Sequence, residues 1–386
     1  TPEYIQQIRP GYKAVGKDSN VVIEKENQKA VIRYVSTNGN RVLTTDEVTG
    51  KSGEAIAYST TSQITEFKKQ GYKLVSDEFT AGGAKVYDYD TARDQVYTVT
   101  LSERVEPVNP DNPTPQPNTP VNPGQPDSPR WPGTVENLDN KESVSRTIHY
   151  VYEDGSKAKD DVVETLNFKR WSNVNLVTGH IDFQDWTTND DTFDKVVSPT
   201  IAGYTADKSE IPAVSGVQAK DQDRVETVTY RKDAQKAVIR YVSTNGNRVL
   251  TTDEVTGKSG EAIAYSTTSQ ITEFKKQGYK LVSDEFTAGG AKVYDYDTAR
   301  DQVYTVTLSE RVEPVNPDNP TPQPNTPVNP GQPDSPRWPG TVENLDNKES
   351  VSRTIHYVYE DGSKAKDDVV ETLNFKRWSN VNLVTG

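Results

Sequence analysis

The stretch AVIRYVSTNGNRVL, residues 30–43, decides the reading of the fold, together with QVYTVTL, residues 95–101. Ala30–Val35 is a run of β-branched, aromatic and small residues, and it leads into Asn38-Gly39. That pair tolerates positive φ at both turn positions, so the run predicts a hairpin that returns through Arg41–Val48. In the second stretch Tyr97, Val99 and Leu101 alternate with Thr98, Thr100 and Ser102, the period of a half-buried strand. Between the two, Thr60-Thr61-Ser62-Gln63 has capping-box spacing, and Ile64 and Phe67 fall three apart on one face. Gly71 is placed to end this short helix over 64–70, and Tyr72–Val75 reads as a further strand. The order hairpin, helix, strand, closing strand predicts an α+β, β-rich module of β-grasp (ubiquitin-like) type, with one helix across a mixed sheet.

The chain repeats itself. Residues 28–179 reappear without a change at 235–386, so that Gln28 becomes Gln235, an offset of 207 residues. Solenoid units of about 20–50 residues share one core, and a period this long instead predicts modules that fold singly, a monomeric array. Proline marks the joints: ten Pro fall between Glu106 and Pro132, and the second copy carries ten more. Proline fixes φ and removes a donor, so each joint is expected to be a semi-rigid polyproline spacer, about 80 Å long at ~3.1 Å per residue.

A second kind of module follows each spacer. Arg146–Tyr152 reads as a strand, Asp154-Gly155 as a turn, Asp161–Phe168 as the return strand and Val225–Tyr230 as the closing strand. The expected organisation is therefore a tail of a preceding module (1–27), a first module (28–105), a Pro-rich linker (106–142) and a second module (143–232). The set then restarts at 233–312 and 313–349 and stops partway, at 350–386. That last stretch lacks the counterpart of the closing strand and is expected to fray.

Composition bounds the function. Hydrophobic residues make up 32% of 386 residues, too few for one continuous core of that length. A net charge of −13 opposes the phosphate backbone, so no general nucleic-acid binding is expected. Zero Cys removes disulfides and thiolate chemistry, and zero Met points to a fragment of a longer product. No apolar run is long enough for a membrane span. No G-x-S-x-G, H-E-x-x-H or phosphate-loop motif occurs, and His149 and His180 read as exposed, so no catalytic residue is assigned and the chain is expected not to be an enzyme.

VIRYVSTNGN (31–40), TGKSGEAIAYSTTSQITEFKKQGYKLVSDEF (49–79) and QVYTVTL (95–101) resemble the MucBP-type module of mucus-binding proteins from lactobacilli and related Gram-positive bacteria. SRTIHYVYEDGSKA (145–158), VVETLNFKRW (162–171), VNLVTGHIDFQDW (174–186) and SPTIAGYTAD (198–207) resemble the Mub B2-like module that follows it in a Mub repeat. The resemblance implies β-grasp-type domains, export and anchoring to the cell wall. It also implies adhesion to mucin glycoproteins through repeated weak contacts, and for some repeats immunoglobulin binding; a passive stalk is the remaining alternative.

Sugar rings pack their C–H faces on aromatics, and the 20 Tyr and 5 Trp outnumber the 8 Phe. The glycan-binding candidates are Tyr58, Tyr87 and Tyr89, the last two expected on one strand face, with Trp171 and Trp186 in the second module. No cofactor is required. Asp185, Asp190, Asp191 and Asp194 form a candidate Ca²⁺ cluster, as does the weaker Asp88, Asp90, Asp94 set.

Overall fold

The computed structural model describes residues 8–16 and 21–386. Parts of the expected N-terminal tail, residues 1–7 and 17–20, lie outside the described residues. The chain divides into two compact units: residues 1–147, 162–195 and 212–226 form one, and 148–161, 196–211 and 227–386 the other.

The first unit opens with a hairpin of β1 (Tyr12–Val15) and β2 (Val22–Lys25). Its main sheet is built from β3 (Asn27–Ser36), β4 (Val42–Lys51), β5 (Tyr72–Asp77) and β6 (Gln95–Glu103), ordered β4-β3-β6-β5. The central pair β3 and β6 is parallel and the outer pairings are antiparallel. The helix α1 (Thr61–Lys69) lies between β4 and β5 in the chain. Ala30, Ile32 and Tyr34 of β3 meet Val99 and Leu101 of β6, and Ile64 and Phe67 of α1 pack on them.

Two local expectations shift. The left-handed turn residues are Gly39 and Asn40, at φ 70° and 51°, one position later than expected. Ser36 N–H donates to the Arg41 carbonyl and Ser36 Oγ accepts from Asn38 N–H at 3.1 Å, so Ser36 itself closes the loop. At the helix start Thr60 makes no side-chain cap; its hydroxyl donates to Asp77 Oδ2 at 2.6 Å. Burial alone would raise the Asp77 carboxyl, but hydrogen bonds from Thr60, Thr80 and the Thr80 and Phe79 backbone outweigh it and hold it low.

The proline segment is folded, which corrects the extended spacer. Its first residues form β7 (Val105–Val108). Further along the chain come β8 (Lys141–Tyr152), β9 (Lys157–Lys169), β10 (Ser172–Asn175) and β11 (Ile181–Phe183). Strand β10 sits between β11 and β7. Within the proline stretch Val121 N–H reaches the Pro129 carbonyl and Trp131 N–H the Thr119 carbonyl, both at 2.9 Å, and Pro120 bridges Arg130. The physical reason is that no two prolines are adjacent. Apolar residues between them supply surface to bury: Val108 and Val135 join Val174 and Leu176, with Val121, Trp131 and Leu138 packed around them. Asn118 and Gly124, both at positive φ, turn the chain back.

Further strands are β12 (Val196–Val197), β13 (Tyr204–Ala206), β14 (Glu210–Ile211) and β15 (Arg224–Lys232). The larger sheet here is ordered β13-β15-β8-β9, and strands β8, β9 and β15 contribute to both units. The first unit holds the cluster Val144, Leu166, Phe168, Phe193, Val217 and Ala219. The second holds Ile148, Tyr150, Ile211, Val228 and Tyr230.

In the second unit β16 (Ala234–Ser243), β17 (Val249–Lys258), α2 (Thr268–Lys276), β18 (Tyr279–Asp284) and β19 (Gln302–Glu310) repeat the first module strand for strand. They are followed by β20 (Val312–Val315), β21 (Lys348–Val358), β22 (Lys364–Lys376) and β23 (Ser379–Asn382). Strands β20 and β23 pair, and Val381 and Leu383 are buried with Val315 and Val342. The β21–β22 hairpin stays paired but is bare: Val351, Leu373 and Phe375 are 61%, 56% and 57% exposed, against 0%, 2% and 5% for Val144, Leu166 and Phe168. A two-stranded hairpin without a packed face is marginal in water. Amides of 351–375 are therefore expected to exchange orders of magnitude faster than those of 144–168, with Val381 and Leu383 protected. Equal protection in the two copies, read by hydrogen exchange, would contradict this.

Candidate functional site

The structure separates the five aromatic candidates. Residues 86–94 form no strand, so Tyr87 and Tyr89 do not share a strand face. Tyr87 is buried against Gly50, where a Cβ would stand 2.2 Å from its ring. Tyr58 donates to Asp46 Oδ2 at 2.5 Å and lies 2.6 Å from the Tyr34 hydroxyl; burial, then the bond to Asp46, pushes its phenol far up.

Tyr89 is 42% exposed, yet its ring stacks on Tyr12 at 5.8 Å and 19°. Its hydroxyl fills the space of a Cβ at Gly53, and its ring that of a Cβ at Gly11. In the second unit Tyr296 meets Tyr204 at 6.0 Å and 24°, between Gly203 and Gly260. The backbone repeats as well: Glu26 N–H donates to the Gly11 carbonyl as Asp233 N–H donates to that of Gly203. Tyr89 and Tyr296 are thus seats for a Gly-Tyr turn from the preceding strand pair.

Trp171 and Trp186 do come to one region, in the first unit. The Arg170 guanidinium lies between two rings, 3.8 Å from the Phe183 centroid and 4.2 Å from that of Trp186. Such stacking fixes the rings by cation–π attraction. Arg170 Nε donates to the Asp139 carbonyl at 2.7 Å, and Lys220 Nζ lies 2.5 Å from Asp139 Oδ2. Burial alone would raise the Asp139 carboxyl; hydrogen bonds with Lys220 and Glu142 keep it low, and the bond to Asp139 in turn pushes Glu142 up. Trp171 and Phe183 are 42% and 39% exposed. A groove of about 420 Å³ is lined by Glu142, Asn167, Lys169, Thr187, Thr188 and Asn189, with Leu166 and Phe168 among others. A lining of hydroxyls, amides and charges suits a polyhydroxyl ligand, and Trp171, Phe183 and Trp186 are not among the lining residues. Sequence reasoning missed Phe183 and Arg170; the signal was Arg170 beside Trp171, with Phe183 three residues before Trp186.

Two of the four carboxylates are engaged in local turns. Asp190 Oδ1 accepts from Thr192 N–H and Asp191 Oδ1 from Thr192 Oγ1, both at 2.9 Å, while Asp194 N–H donates to Glu164. Asp88 and Asp90 likewise accept from backbone N–H groups two residues on, and Asp94 pairs with Lys29 at 3.3 Å. Among the described residues no three carboxylate, imidazole or thiol groups converge as a metal cage, at Asp185, Asp190, Asp191 and Asp194 or elsewhere. His149 and His180 each lie 2.9 Å from an Asp, in exposed pairs with Asp161 and Asp182.

Each module matches a family. Residues 28–103 and 235–310 match the mucin binding domain, and 135–234 and 342–386 match the Muc B2-like domain. The chain is 36% identical to the MucBP domain of an adhesion protein from Pediococcus pentosaceus, covering 98% of that structure and 24% of this chain, at a TM-score of 0.22. It is 28% identical to a type 2 repeat of the mucus binding protein MUB from Lactobacillus reuteri, covering 100% of it and 53% of this chain, at 0.36. A crystal structure of Mub-RV is 26% identical and 99% covered, over 53% of this chain, at 0.43. No curated protein sequence matches. The chain belongs to the mucin binding domain family, with mucin binding and Muc B2-like domains in alternation. Among the described residues no helix is long and apolar enough to cross a membrane.

Proposed function

We propose that the chain is the repeat region of a bacterial surface adhesin, exported and wall-anchored, that holds mucin glycoproteins through several weak contacts. Two matches to the mucin binding domain carry the reading. The mixed four-stranded order, with one helix between its second and third strands, is the one a β-grasp module would show. Repetition makes weak contacts useful, since tethered sites gain about 10²–10⁴ in avidity where spacing suits the target. The aromatic region around Trp171, Phe183 and Trp186 supplies one contact and occurs complete once in this chain. Trp171→Ala is expected to weaken binding of the chain to immobilised mucin by about 1–2 kcal/mol, the scale of one aromatic platform. Unchanged binding of the folded variant would remove this region from the site.

A further inference from the structure

The turn after β3 carries a reactive pair that the adhesin reading does not use. Of all the asparagines in the chain, only Asn38 and Asn245 are followed by glycine. An L side chain at the next position crowds the approach of the main-chain nitrogen to the asparagine side-chain carbonyl, and glycine does not. Residues 38–40 and 245–247 are exposed, in the loops between β3 and β4 and between β16 and β17. A Cβ at Gly39 or Gly246 would meet nothing within 4 Å, so that side of each turn is open to solvent.

The same amide starts a relay into the next segment. Asn38 Nδ2 donates to Glu103 Oε1 at 2.9 Å, and Glu103 Oε2 accepts from Asn175 Nδ2 at 2.6 Å. Asn175 Oδ1 in turn accepts from the Val177 and Thr178 N–H groups at 2.9 and 3.0 Å. Val177 packs on the core of the first module. The second unit repeats every step: Asn245 donates to Glu310 at 3.1 Å, Asn382 to Glu310 at 2.7 Å, and Val384 and Thr385 N–H to Asn382 at 2.9 and 3.0 Å. A carboxylate cannot replace the Asn38 amide here. It donates nothing, and it sets a second negative charge at hydrogen-bond distance from Glu103.

We propose that Asn38 and Asn245 deamidate spontaneously and that the product unties this relay, so that the joint behind each mucin binding domain loosens as the chain ages. The Gly39 nitrogen, its proton passed to hydroxide, attacks Asn38 Cγ. The N–Cγ bond forms, the Cγ–Nδ2 bond breaks, and Nδ2 leaves as ammonia with a proton from water. Water then opens the resulting cyclic imide at either carbonyl, which gives aspartate or its β-linked isomer. Overall, water is consumed and ammonia released, with no oxidant or reductant. The hydrogen bonds from Asn38 N–H to Ser36 Oγ and from Asn38 Nδ2 to Glu103 restrain the side chain, so the folded loop reacts more slowly than an open peptide of the same sequence.

The test incubates the full chain in heavy-oxygen water at neutral and mildly alkaline pH and maps its peptides by mass spectrometry, with a free peptide of residues 36–41 alongside. Peptides holding Asn38 and Asn245 are expected to exchange NH for heavy oxygen, faster at the higher pH, while the other asparagines stay intact. No gain at either site by the time the free peptide is fully converted, or equal gain at asparagines not followed by glycine, overturns the proposal. Asn38→Asp/Asn245→Asp imitates the product, and Asn38→Gln/Asn245→Gln keeps an amide that cyclises poorly and is expected to gain no heavy oxygen there. In the Asp variant the Val177, Thr178, Val384 and Thr385 amides are expected to exchange about five- to tenfold faster than in wild type, the scale of one net hydrogen bond. Unchanged exchange in β3 and β6 confirms that the variant folds. Adding Glu103→Gln/Glu310→Gln supplies the missing donor and is expected to restore the four amides. Wild-type exchange at these amides in the Asp variant, or no restoration by the added Gln pair, overturns the untying of the joint.

Discussion

Arg146→Ala is expected to destabilise the first unit by about 3–5 kcal/mol, while the same substitution 207 residues later, Arg353→Ala, costs well under about 1 kcal/mol. The two side chains have identical sequence neighbours and opposite surroundings. Arg146 is 1% exposed, on the core face of β8 between Val144 and Ile148. Its guanidinium donates to the Pro212 carbonyl at 3.0 Å and to the Asp194 carbonyl, lies 3.4 Å from Glu164, and stands over the Phe193 ring at 5.2 Å. Removing it takes the donors from the Pro212 and Asp194 carbonyls and leaves a cavity beside Phe193. Arg353 is 72% exposed and keeps only Glu371, at 2.9 Å. Hydrogen exchange of 144–168 and of 351–375 in each variant reads the two effects separately. Equal costs would mean that burial is not what makes Arg146 matter.

Gly71→Ala is expected to cost about 3 kcal/mol and to release β10 from the first module. Gly71 holds φ at +102°, where an L-residue pays about 1 kcal/mol, and its Cβ would stand 2.6 Å from both the carbon and the oxygen of the Leu176 carbonyl. Backbone against backbone has no rotamer escape, so the rest of the cost is overpacking, typically about 1–3 kcal/mol. The same contact is tied by Glu103, which accepts from Asn38 at 2.9 Å and from Asn175 at 2.6 Å, bonds that hold its carboxyl below the usual range. Leu176 N–H also donates to the Arg104 carbonyl at 2.9 Å. Gly82→Ala is the control: φ is +79° but only the Lys85 ammonium lies near, at 3.9 Å, so the cost stays near 1 kcal/mol. Thermal unfolding and the amide protection of Val174 and Leu176 check both variants. A Gly71 variant no worse than the Gly82 variant would show that this junction is loose.

These two residues show what could be read from sequence. The strand pattern of Tyr97, Val99 and Leu101 and the turn after Val35 gave the β-rich module because both signals are local: a period of two and a left-handed turn. The helix end at Gly71 was legible for the same reason, but not its neighbour Leu176, more than a hundred residues on. Arg146 alternates like a core residue in β8, yet its charge argues for the surface. Only the carbonyls of Pro212 and Asp194, brought in by distant segments, make burial affordable. The proline stretch misled because proline content reports what backbone is unavailable, not whether Val108, Val121, Trp131 and Val135 find something to bury. Of the glycan candidates, Trp171 stays exposed and Trp186 packs on the core beside Leu166 and Phe168, while Tyr87 went to the core and Tyr89 to a seat for Tyr12. Nothing within one module's sequence distinguishes a ring that waits for a sugar from one that waits for the neighbouring strand pair.

The most direct measurement is binding of the complete chain to immobilised mucin before and after removal of its glycans. The account predicts binding that is lost when the glycans are stripped. Undiminished binding to the bare polypeptide would contradict it.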